Sequence, residues 1–503
     1  MNREEVFAEH ISKGYSCKGD HIIIGSAILD GHVLSEAKVR IPLKTLNRHG
    51  LISGATGTGK TKSLQVISEH LSEKGVPVLL MDVKGDLSGI AVPGTKEPFI
   101  LERHEKIGLP YSEKGFPVEI LSLSKQEGVR MRATVSEFGP VLLSRILDLN
   151  DTQTGIMSVI FKYCDDKRMA LLDLKDLKKV IQYISEEGKE ELERDYGRIS
   201  TSSTGIIFRK IIELEQQGGD LFFGELSFDI MDLLRRDKNG KGYINILRLT
   251  DIQDKPKLFS TFMLSLLAEV YNQMPEMGDL SKPELVIFID EAHLIFKEAS
   301  KTLLDQIETI VKLIRSKGIG IFFVTQDPTD IPNGVLAQLG LKIQHALRAF
   351  TAADRKAIKL TAENYPLSDY YKTEDTITSL GTGEALITAL NEKGIPTPLA
   401  ATMIRAPMSR MDILSDEELS AVYRSSELIK KYSKTIDGES AYEILGRKLE
   451  SLEKEKLSGK TGKEPVRRKT TTPRRRTGVN PVVKVLTSAT FIRGVMGILK
   501  KMI

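Results

Sequence analysis

The sequence predicts an α/β fold with a mainly parallel β-sheet, and three observations support this prediction. Apolar runs short enough to be buried strands alternate along the chain with segments of helical periodicity. One of these strands leads into a glycine-rich loop, and another ends in two adjacent carboxylates. Strands that alternate with helices pair in parallel, and the polar groups at their carboxyl ends then face one site.

Composition and length agree with a folded cytoplasmic protein of two or three domains. The chain has 503 residues, of which 41% are hydrophobic, and this is enough for a sizeable core. No segment approaches the roughly 20 uninterrupted apolar residues of a membrane span, and the N-terminus lacks the apolar core of a signal peptide. The two cysteines, Cys17 and Cys164, lie far apart without histidines at ligand spacing, so we expect neither a disulfide framework nor a zinc site.

The first predicted element is a small β element in residues 1–44. Two strand-like segments, 21–28 and 33–41, are joined by Asp30-Gly31, which is a good hairpin turn signal.

The next predicted strand, 51–53, leads into a sequence that fits the phosphate-binding pattern G-x-x-x-x-G-K-[ST]. Glycines allow successive amide groups to point at phosphate oxygens, Lys60 supplies charge for the outer phosphates, and Thr61 supplies a hydroxyl for Mg²⁺. Helical periodicity follows, and the start of a helix favours a bound anion. The candidate nucleotide-binding residues are Gly54, Ala55, Thr56, Gly57, Thr58, Gly59, Lys60 and Thr61.

A second apolar strand, 78–82, runs into Asp82 and Asp86. In a parallel sheet both carboxylates would face the phosphate-binding loop. The sequence does not assign either of them a role.

The apolar run 285–289 ends in Asp290 and Glu291, as expected for a strand buried on both faces of a parallel sheet. Asp290 could hold Mg²⁺ through water, and Glu291 could polarise the attacking water as a general base. An acidic helix cap is the alternative, and the phosphate-binding loop upstream makes it the weaker one.

Two further candidates belong to the next predicted strand, 318–326, which ends in polar residues. Gln326 is the last of these and could sense the γ-phosphate or orient water. Arg315 precedes it at the end of a helix rich in isoleucine and leucine. Taken alone, Arg315 would be a solvated cation that interacts with the helix dipole.

These separated motifs together resemble the HerA/FtsK superfamily of ring-forming ATPases. They are the phosphate-binding loop, Asp-Val-Lys-Gly-Asp at 82–86, Ile-Asp-Glu-Ala-His at 289–293 and Arg-Ser-Lys-Gly-Ile-Gly-Ile-Phe-Phe-Val-Thr-Gln at 315–326. The segments 344–351 and 381–385 are similar to the bacterial YjgR-like branch, a HerA-helicase-like domain of unknown function.

The resemblance implies a RecA-like P-loop NTPase core that hydrolyses ATP with Mg²⁺, usually as a hexameric ring. It implies Thr61 and Asp290 as metal-binding residues, and Glu291, Arg315 and Gln326 as catalytic residues. In that superfamily the residue corresponding to Arg315 reaches into a neighbour's site, and Arg348 is the alternative here. The chain has Asp327-Pro328 where FtsK-like pumps have Arg-Pro, so ATP hydrolysis is implied more directly than DNA translocation.

The domain prediction places the ATPase core in two parts, 45–124 and 241–407, with a helical insertion at 125–240 between them. A helical C-terminal segment, 408–457, precedes a basic flexible linker, 458–479, and an amphipathic segment, 480–503. The linker's arginine and lysine clusters could contact phosphates without choosing a sequence, or they could belong to a solvated tail.

The predicted function is an ATP-hydrolysing ring motor of the HerA type, acting on DNA as a translocase or helicase. Its expected cofactors are ATP and Mg²⁺, and its expected partners are further copies of itself and DNA. A partner nuclease or other effector remains open. The alternative is an ATPase that remodels protein or serves as a scaffold without acting on nucleic acid.

Overall fold

The computed structural model describes residues 2–253, 255–296, 301–433 and 438–458. The predicted basic linker, from residue 459 onward, and the predicted amphipathic segment lie outside the described residues. The chain divides into two compact units. One comprises Met1–Met131 and Phe228–Lys434, and the other comprises Arg132–Ser227 and Thr435–Ile503. We call them the sheet unit and the helical unit.

Within the described residues, the strands of the sheet unit form one twelve-stranded sheet with the order β2-β1-β12-β11-β10-β3-β9-β8-β4-β7-β5-β6. The strands are β1 (His21–Leu29), β2 (His32–Pro42), β3 (Gly50–Ser53), β4 (Val78–Asp82), β5 (Val118–Ser122), β6 (Val129–Arg130), β7 (Ile244–Arg248), β8 (Leu285–Ile289), β9 (Ile319–Thr325), β10 (Leu341–Gln344), β11 (Glu384–Thr388) and β12 (Ala400–Ile404).

The helices are numbered along the whole chain. Those of the sheet unit are α1 (Arg3–Gly14), α2 (Lys60–Glu73), α3 (Pro98–Ile107), α10 (Pro256–Gln273), α11 (His293–Phe296), α12 (Lys301–Ile314), α13 (Asn333–Leu336), α14 (Ala352–Glu363), α15 (Thr373–Ser379), α16 (Asp416–Arg424) and α17 (Leu428–Tyr432). Those of the helical unit are α4 (Val135–Ile146), α5 (Asp151–Lys167), α6 (Leu174–Ser185), α7 (Lys189–Tyr196), α8 (Thr201–Gln216), α9 (Gly219–Phe222) and α18 (Ala441–Ser458). None of the described helices is long and apolar enough to cross a membrane.

The central part of the sheet is parallel, from β10 through β3, β9, β8, β4, β7 and β5 to β6. Every residue of β3, β4, β8 and β9 is buried, as expected where helices cover both faces of a parallel sheet. The predicted fold class, an α/β protein with a mainly parallel sheet, is confirmed.

The predicted N-terminal hairpin is present as β1 and β2, with Asp30 and Gly31 at positive φ between them. It is part of the main sheet, because β1 pairs in an antiparallel direction with β12. An unpaired edge of β12 would leave backbone groups without partners, and this pairing satisfies them. The sequence analysis did not predict α1, whose Asn2 forms a capping box and whose Phe7 and Ile11 are buried.

The helical unit occupies a narrower range than the predicted insertion. Strand β6 and the 3-10 helix Ile230–Leu234 fall inside the range 125–240 but belong to the sheet unit. The predicted C-terminal helical segment is divided, since α16 and α17 lie in the sheet unit and α18 lies in the helical unit. Two backbone amides attach α18, namely Ala441 N to Ala170 O at 2.9 Å and Tyr442 N to Asp176 Oδ1 at 2.9 Å.

Candidate nucleotide-binding site

Four adjacent strands bring the predicted site residues together at one edge of the sheet. The order β3-β9-β8-β4 places the phosphate-binding loop, Gln326, the Asp290-Glu291 pair and Asp82 beyond neighbouring carboxyl ends. In parallel α/β sheets ligands bind at this edge.

The phosphate-binding loop has the backbone that its glycines permit. Gly54, Gly57 and Gly59 have φ values of 148°, 77° and 113°, in a region that other residues rarely adopt. Ala55 N donates to Ala346 O at 2.8 Å, and Thr58 Oγ1 donates to Ala55 O at 2.7 Å. Helix α2 begins directly after the loop, so its N-terminal amides and dipole face the same space.

Lys60 is buried, and its ammonium lies inside the curve of this loop. Its Nζ donates to Gly54 O at 2.7 Å and to Ala55 O at 3.0 Å. Burial lowers the pKa of Lys60, the charge of Lys84 lowers it further, and Glu291 and Asp290 act in the opposite direction. Its two hydrogen bonds therefore hold the Lys60 Nζ at the loop, where the motif places it for a phosphate contact.

His345 lies against the start of the loop and the first turn of α2. It is fully buried; its Nδ1 donates to Glu384 O at 2.9 Å, and its Nε2 accepts from Ser63 Oγ at 2.8 Å. Burial lowers the pKa of His345 to about 4, so the ring is neutral near pH 7. A Cβ on Gly54 would come within 2.5 Å of the His345 Cβ. The Cβ and backbone of His345 thus limit how the loop can leave β3.

A second support comes from the turn at residues 381–383. Gly383 N donates to Thr58 O at 2.9 Å. Arg103 holds this turn, because its Nη1 donates to Gly383 O at 3.1 Å and its Nη2 donates to Thr382 O at 2.9 Å. The loop is therefore fixed on both sides.

Asp82, the last residue of β4, and Asp86, which follows it, have different roles. Asp82 accepts from the amides of Gly85, Asp86 and Leu87 at 2.7, 3.2 and 3.3 Å, and so forms the turn. Burial, with the charge of Asp86, raises the pKa of Asp82 to about 6. Asp86 points at the loop, and its Oδ2 accepts from Thr61 Oγ1 at 3.3 Å.

Oxygen atoms suited to Mg²⁺ lie at this edge of the sheet, and those of Asp86 are beside Thr61. The Oδ1 of Asp86 is buried without a hydrogen-bond partner among the described residues. Asp290 is only 5% exposed, and burial raises its pKa to about 7, with further contributions from the charges of Glu291 and Asp86. A cation bound there would favour the ionised carboxylate. Hydroxyl and carboxylate oxygens are the ligands that Mg²⁺ prefers, so these residues fit the ion.

Glu291 is held in a defined position. Its φ of 46° is left-handed, and its carboxylate contacts Lys84 Nζ on one side and His293 Nδ1 at 3.1 Å on the other. Burial alone would raise the pKa of Glu291, but Lys84 and, to a smaller extent, His293 and Gln326 lower it below its usual value. The carboxylate is therefore ionised, as a general base must be.

Gln326 joins the same site. Its side chain makes the last of the contributions that lower the pKa of Glu291. Its Oε1 accepts from Thr56 Oγ1 at 3.4 Å. The residue thus contacts the phosphate-binding loop on the side that faces Glu291.

Arg315 lies away from these residues. It is exposed and precedes β9, whereas Gln326 follows it. The seven residues of β9 separate the two edges of the sheet by about 20 Å. Arg315 therefore cannot reach the site of its own chain. The alternative, Arg348, follows β10 at the edge that carries the phosphate-binding loop. It donates to its own chain, to Thr378 O at 2.7 Å and Leu380 O at 3.3 Å.

Sequence analysis did not assign functional roles to several residues of this site. Lys84 lies inside Asp-Val-Lys-Gly-Asp at 82–86, and its position between the two aspartates of this motif was a possible signal. His345 lies inside the segment 344–351 that resembles the YjgR-like branch. Arg103 has no such signal, because its contacts come from a distant part of the chain.

A family model, Helicase HerA-like C-terminal, matches residues 29–493. The chain is 23% identical over 388 residues to a DNA double-strand break repair helicase HerA of Sulfolobus acidocaldarius, with 76% of this chain and 70% of that protein covered. It is 24% identical to the HerA of Sulfurisphaera tokodaii, with 70% of this chain and 64% of that protein covered. It is 26% identical to a DNA import protein, CedB, of Sulfolobus acidocaldarius, with 78% and 58% covered. The chain thus spans only part of the length of these relatives.

The structure is also similar to that of the bacterial conjugative coupling protein TrwBdeltaN70. The TM-score is 0.51 at 14% sequence identity, with 81% of this chain and 94% of that chain covered. This likeness supports the fold alone.

Proposed function

The chain belongs to the family of HerA-like helicase C-terminal proteins, and from this premise we propose that it is an ATP-hydrolysing motor of the HerA type that acts on DNA. The observation that carries the proposal is the convergence of Lys60, Glu291 and Gln326 at the carboxyl edge of a parallel sheet. This is the arrangement that phosphoryl transfer to water requires. It agrees with the function predicted from the sequence.

In this proposal Lys60 and the loop amides hold the outer phosphates of ATP. Thr61 and Asp290 hold Mg²⁺, with Asp86 beside them, and the ion when bound supplies positive charge at the phosphates. Glu291 accepts a proton from the attacking water, and Gln326 orients the water or the γ-phosphate. Lys84 and His293 keep the Glu291 carboxylate in position.

The position of Arg315 supports a proposal that several copies assemble. An exposed arginine about 20 Å from its own site can stabilise phosphate charge only in an adjoining copy. The hydrogen bonds of Arg348 to its own backbone make it the weaker candidate. We therefore propose a ring, usually hexameric in this superfamily, in which each site is completed by a neighbour.

The support for DNA as the substrate is the family and the printed names of the relatives, which include DNA repair helicases and a DNA import protein. The test is steady-state ATP hydrolysis with and without single- and double-stranded DNA, at two salt concentrations. We expect DNA to stimulate hydrolysis, and we expect the stimulation to fall as salt rises because phosphate contacts weaken with salt. The variant Lys60→Ala serves as the inactive control. Hydrolysis that is indifferent to DNA would favour an ATPase acting on protein.

The shared site has its own test. Arg315→Ala should retain nucleotide binding and lose turnover, while Glu291→Gln should lose turnover in its own site. Mixing the two variants should restore activity at sites that combine an intact Glu291 with a neighbour's intact Arg315. Without recovery in the mixture, Arg315 would have to act within one chain.

A further inference from the structure

The helix that follows the phosphate-binding loop carries a polar face that is turned into the protein. Lys62, Gln65 and Glu69 are three and four residues apart along α2, so they lie on one face of the helix. Gln65 and Glu69 are each 1% exposed, and Lys62 is partly buried. Buried polar groups need hydrogen-bond partners, so this face has to be paired with polar groups from elsewhere in the chain.

The partner of this face is the segment 408–411, which we call the strap. It follows β12 and runs along α2. Each of the three side chains hydrogen-bonds to it: Glu69 accepts from Met408 N at 2.8 Å and Ser409 N at 3.0 Å, Gln65 Nε2 donates to Ser409 Oγ at 2.8 Å and Arg410 O at 2.9 Å, and Lys62 Nζ donates to Met411 O. Four successive residues of the strap are thus bonded to successive turns of one helix.

The strap is also bonded to the segment 88–94. Two backbone hydrogen bonds join them, from Arg410 N to Val92 O at 3.0 Å and from Gly94 N to Met408 O at 3.0 Å. The contact is close, because a Cβ on Gly89 would come within 2.0 Å of Asp412 O. Segment 88–94 comes directly after the turn that carries Asp86. The strap therefore joins α2 to the part of the chain that positions Asp86.

Lys62 links the strap to the candidate metal-binding residues. It directly follows Thr61, whose Oγ1 donates to Asp86 Oδ2 at 3.3 Å. Burial lowers the pKa of Lys62, whereas the charge of Asp86 and, to a smaller extent, that of Asp412 act in the opposite direction. The ammonium of Lys62 is therefore near Asp86 while it donates to the strap. Gln65 Oε1 also accepts from it, at 3.3 Å.

We propose that Lys62 is a positioning residue for the Mg²⁺ side of the nucleotide site. Through its hydrogen bond to the strap it fixes the first turn of α2, and with it the Thr61 hydroxyl, relative to Asp86. Mg²⁺ demands nearly ideal octahedral geometry, so its binding is sensitive to the placement of these oxygens. The inference rests on the proposed function, because it needs a nucleotide and its ion at the loop.

The experiment compares Lys62→Met and Lys62→Arg with the wild-type protein. The readout is the affinity for a fluorescent ATP analogue, measured with Mg²⁺ and again in EDTA. Lys62→Met removes a charged hydrogen-bond donor and keeps most of the stem. It should weaken binding about 10-fold with Mg²⁺ and less than about twofold in EDTA. Lys62→Arg keeps a donor and a charge, so it should recover part of the loss.

Lys74→Met is the matched control. It removes an ammonium from the other end of the same helix, where Lys74 forms an ion pair with Asp20 at 2.7 Å. This end is about 20 Å from the phosphate-binding loop, the length of α2. Both affinities should therefore stay at their wild-type values.

The direction of the change separates positioning from charge. Removing a cation beside a metal site would by itself strengthen Mg²⁺-dependent binding, because the ion would meet less repulsion. Ser409→Ala loosens the strap without a change of charge, since its Oγ accepts from Gln65 and donates to Glu69. It should weaken binding with Mg²⁺ about threefold, and it decides the inference if Lys62→Met does not fold.

Three outcomes would overturn the inference. They are unchanged or tighter Mg²⁺-dependent binding by Lys62→Met, an equal loss of affinity in EDTA, and wild-type affinity of Ser409→Ala with Mg²⁺. The second would show that the phosphate-binding loop itself had loosened. Failure of the proposed function is distinct from all three, because the wild-type protein would then bind the analogue under neither condition.

Discussion

Alanine substitutions at three glycines of the phosphate-binding loop separate backbone strain from crowding. Gly57 has a φ of 77° with nothing within 4 Å of an added Cβ. Gly59 has a φ of 113°, and its added Cβ would lie 3.1 Å from the Cα and N of Gly383. Gly54 has a φ of 148°, and its added Cβ would lie 2.5 Å from the Cβ of His345.

The expected losses follow from these surroundings. A left-handed backbone costs a residue with a side chain about 1–2 kcal/mol, so Gly57→Ala should lower the free energy of unfolding by about that amount. Gly59→Ala adds contact with a turn whose Gly383 amide binds Thr58 O. Gly54→Ala must displace the Cβ and backbone of His345, and overpacking adds about 1–3 kcal/mol. Its total loss should be about 2–5 kcal/mol.

The assay is urea unfolding followed by far-ultraviolet circular dichroism, without added nucleotide, because a bound ligand would add its own contacts. The loss of stability should increase in the order Gly57→Ala, Gly59→Ala, Gly54→Ala. A Gly54→Ala variant as stable as Gly57→Ala would refute the reasoning, since it would mean that His345 does not constrain the loop. Binding of a fluorescent ATP analogue would then report whether the displaced loop still accepts phosphates.

Three further predictions concern single side chains. Lys84→Met should lower kcat about tenfold at an unchanged KM. It should also shift the acid limb of the pH–kcat profile to higher pH, because Lys84 lowers the pKa of Glu291. An acid limb at an unchanged pH would exclude this role, and Lys84→Arg should restore part of the rate. Burial raises the pKa of Glu69 to about 7, so its contribution to stability is present below the unfolded pKa near 4.5 and is lost as pH rises through about 7. Glu69→Gln should therefore flatten the pH dependence of the unfolding free energy by about 3 kcal/mol between pH 4.5 and 8, and identical slopes in urea titrations would contradict it. His345→Ala should destabilise the protein by about 2–4 kcal/mol in the same unfolding assay. The reason is that the substitution leaves Ser63 Oγ and Glu384 O without their buried hydrogen-bond partner. A loss no larger than that of Ser63→Ala would show that the packing of the imidazole ring contributes little.

The sequence was most informative where function depends on local chemistry. The pattern from Gly54 to Thr61 identifies a phosphate-binding loop because glycine conformations, a lysine and a hydroxyl must occur at fixed spacing. The apolar run before Asp290 and Glu291 identifies a buried strand, because a strand covered on both faces of a parallel sheet has apolar residues throughout. Every residue of β8 is indeed buried. The predicted family and fold class are confirmed. The roles of the individual site residues and the predicted ring remain predictions.

The domain limits were less well determined. The sequence placed a helical insertion at 125–240 and a separate helical segment at 408–457, whereas the compact units divide at Met131 and Phe228, and again after Lys434. Helix α18 belongs with the insertion because its first residues bond to Ala170 and Asp176. Such a pairing joins segments more than 250 residues apart, and no local pattern encodes it.

By itself, the sequence determined the class of chemistry, because the phosphate-binding motif at 54–61 and the carboxylate motif at 290–291 are each short and local. Only the tertiary structure decided how those residues are supported and which cations are available to them. Lys84 follows β4 and contacts Glu291, which follows the neighbouring strand β8. His345 follows β10 and contacts Ser63 in the helix after the loop. Arg315 is placed at the far edge by the length of β9. These positions depend on strand order and register, which arise from long-range pairing of the sheet and not from any single segment.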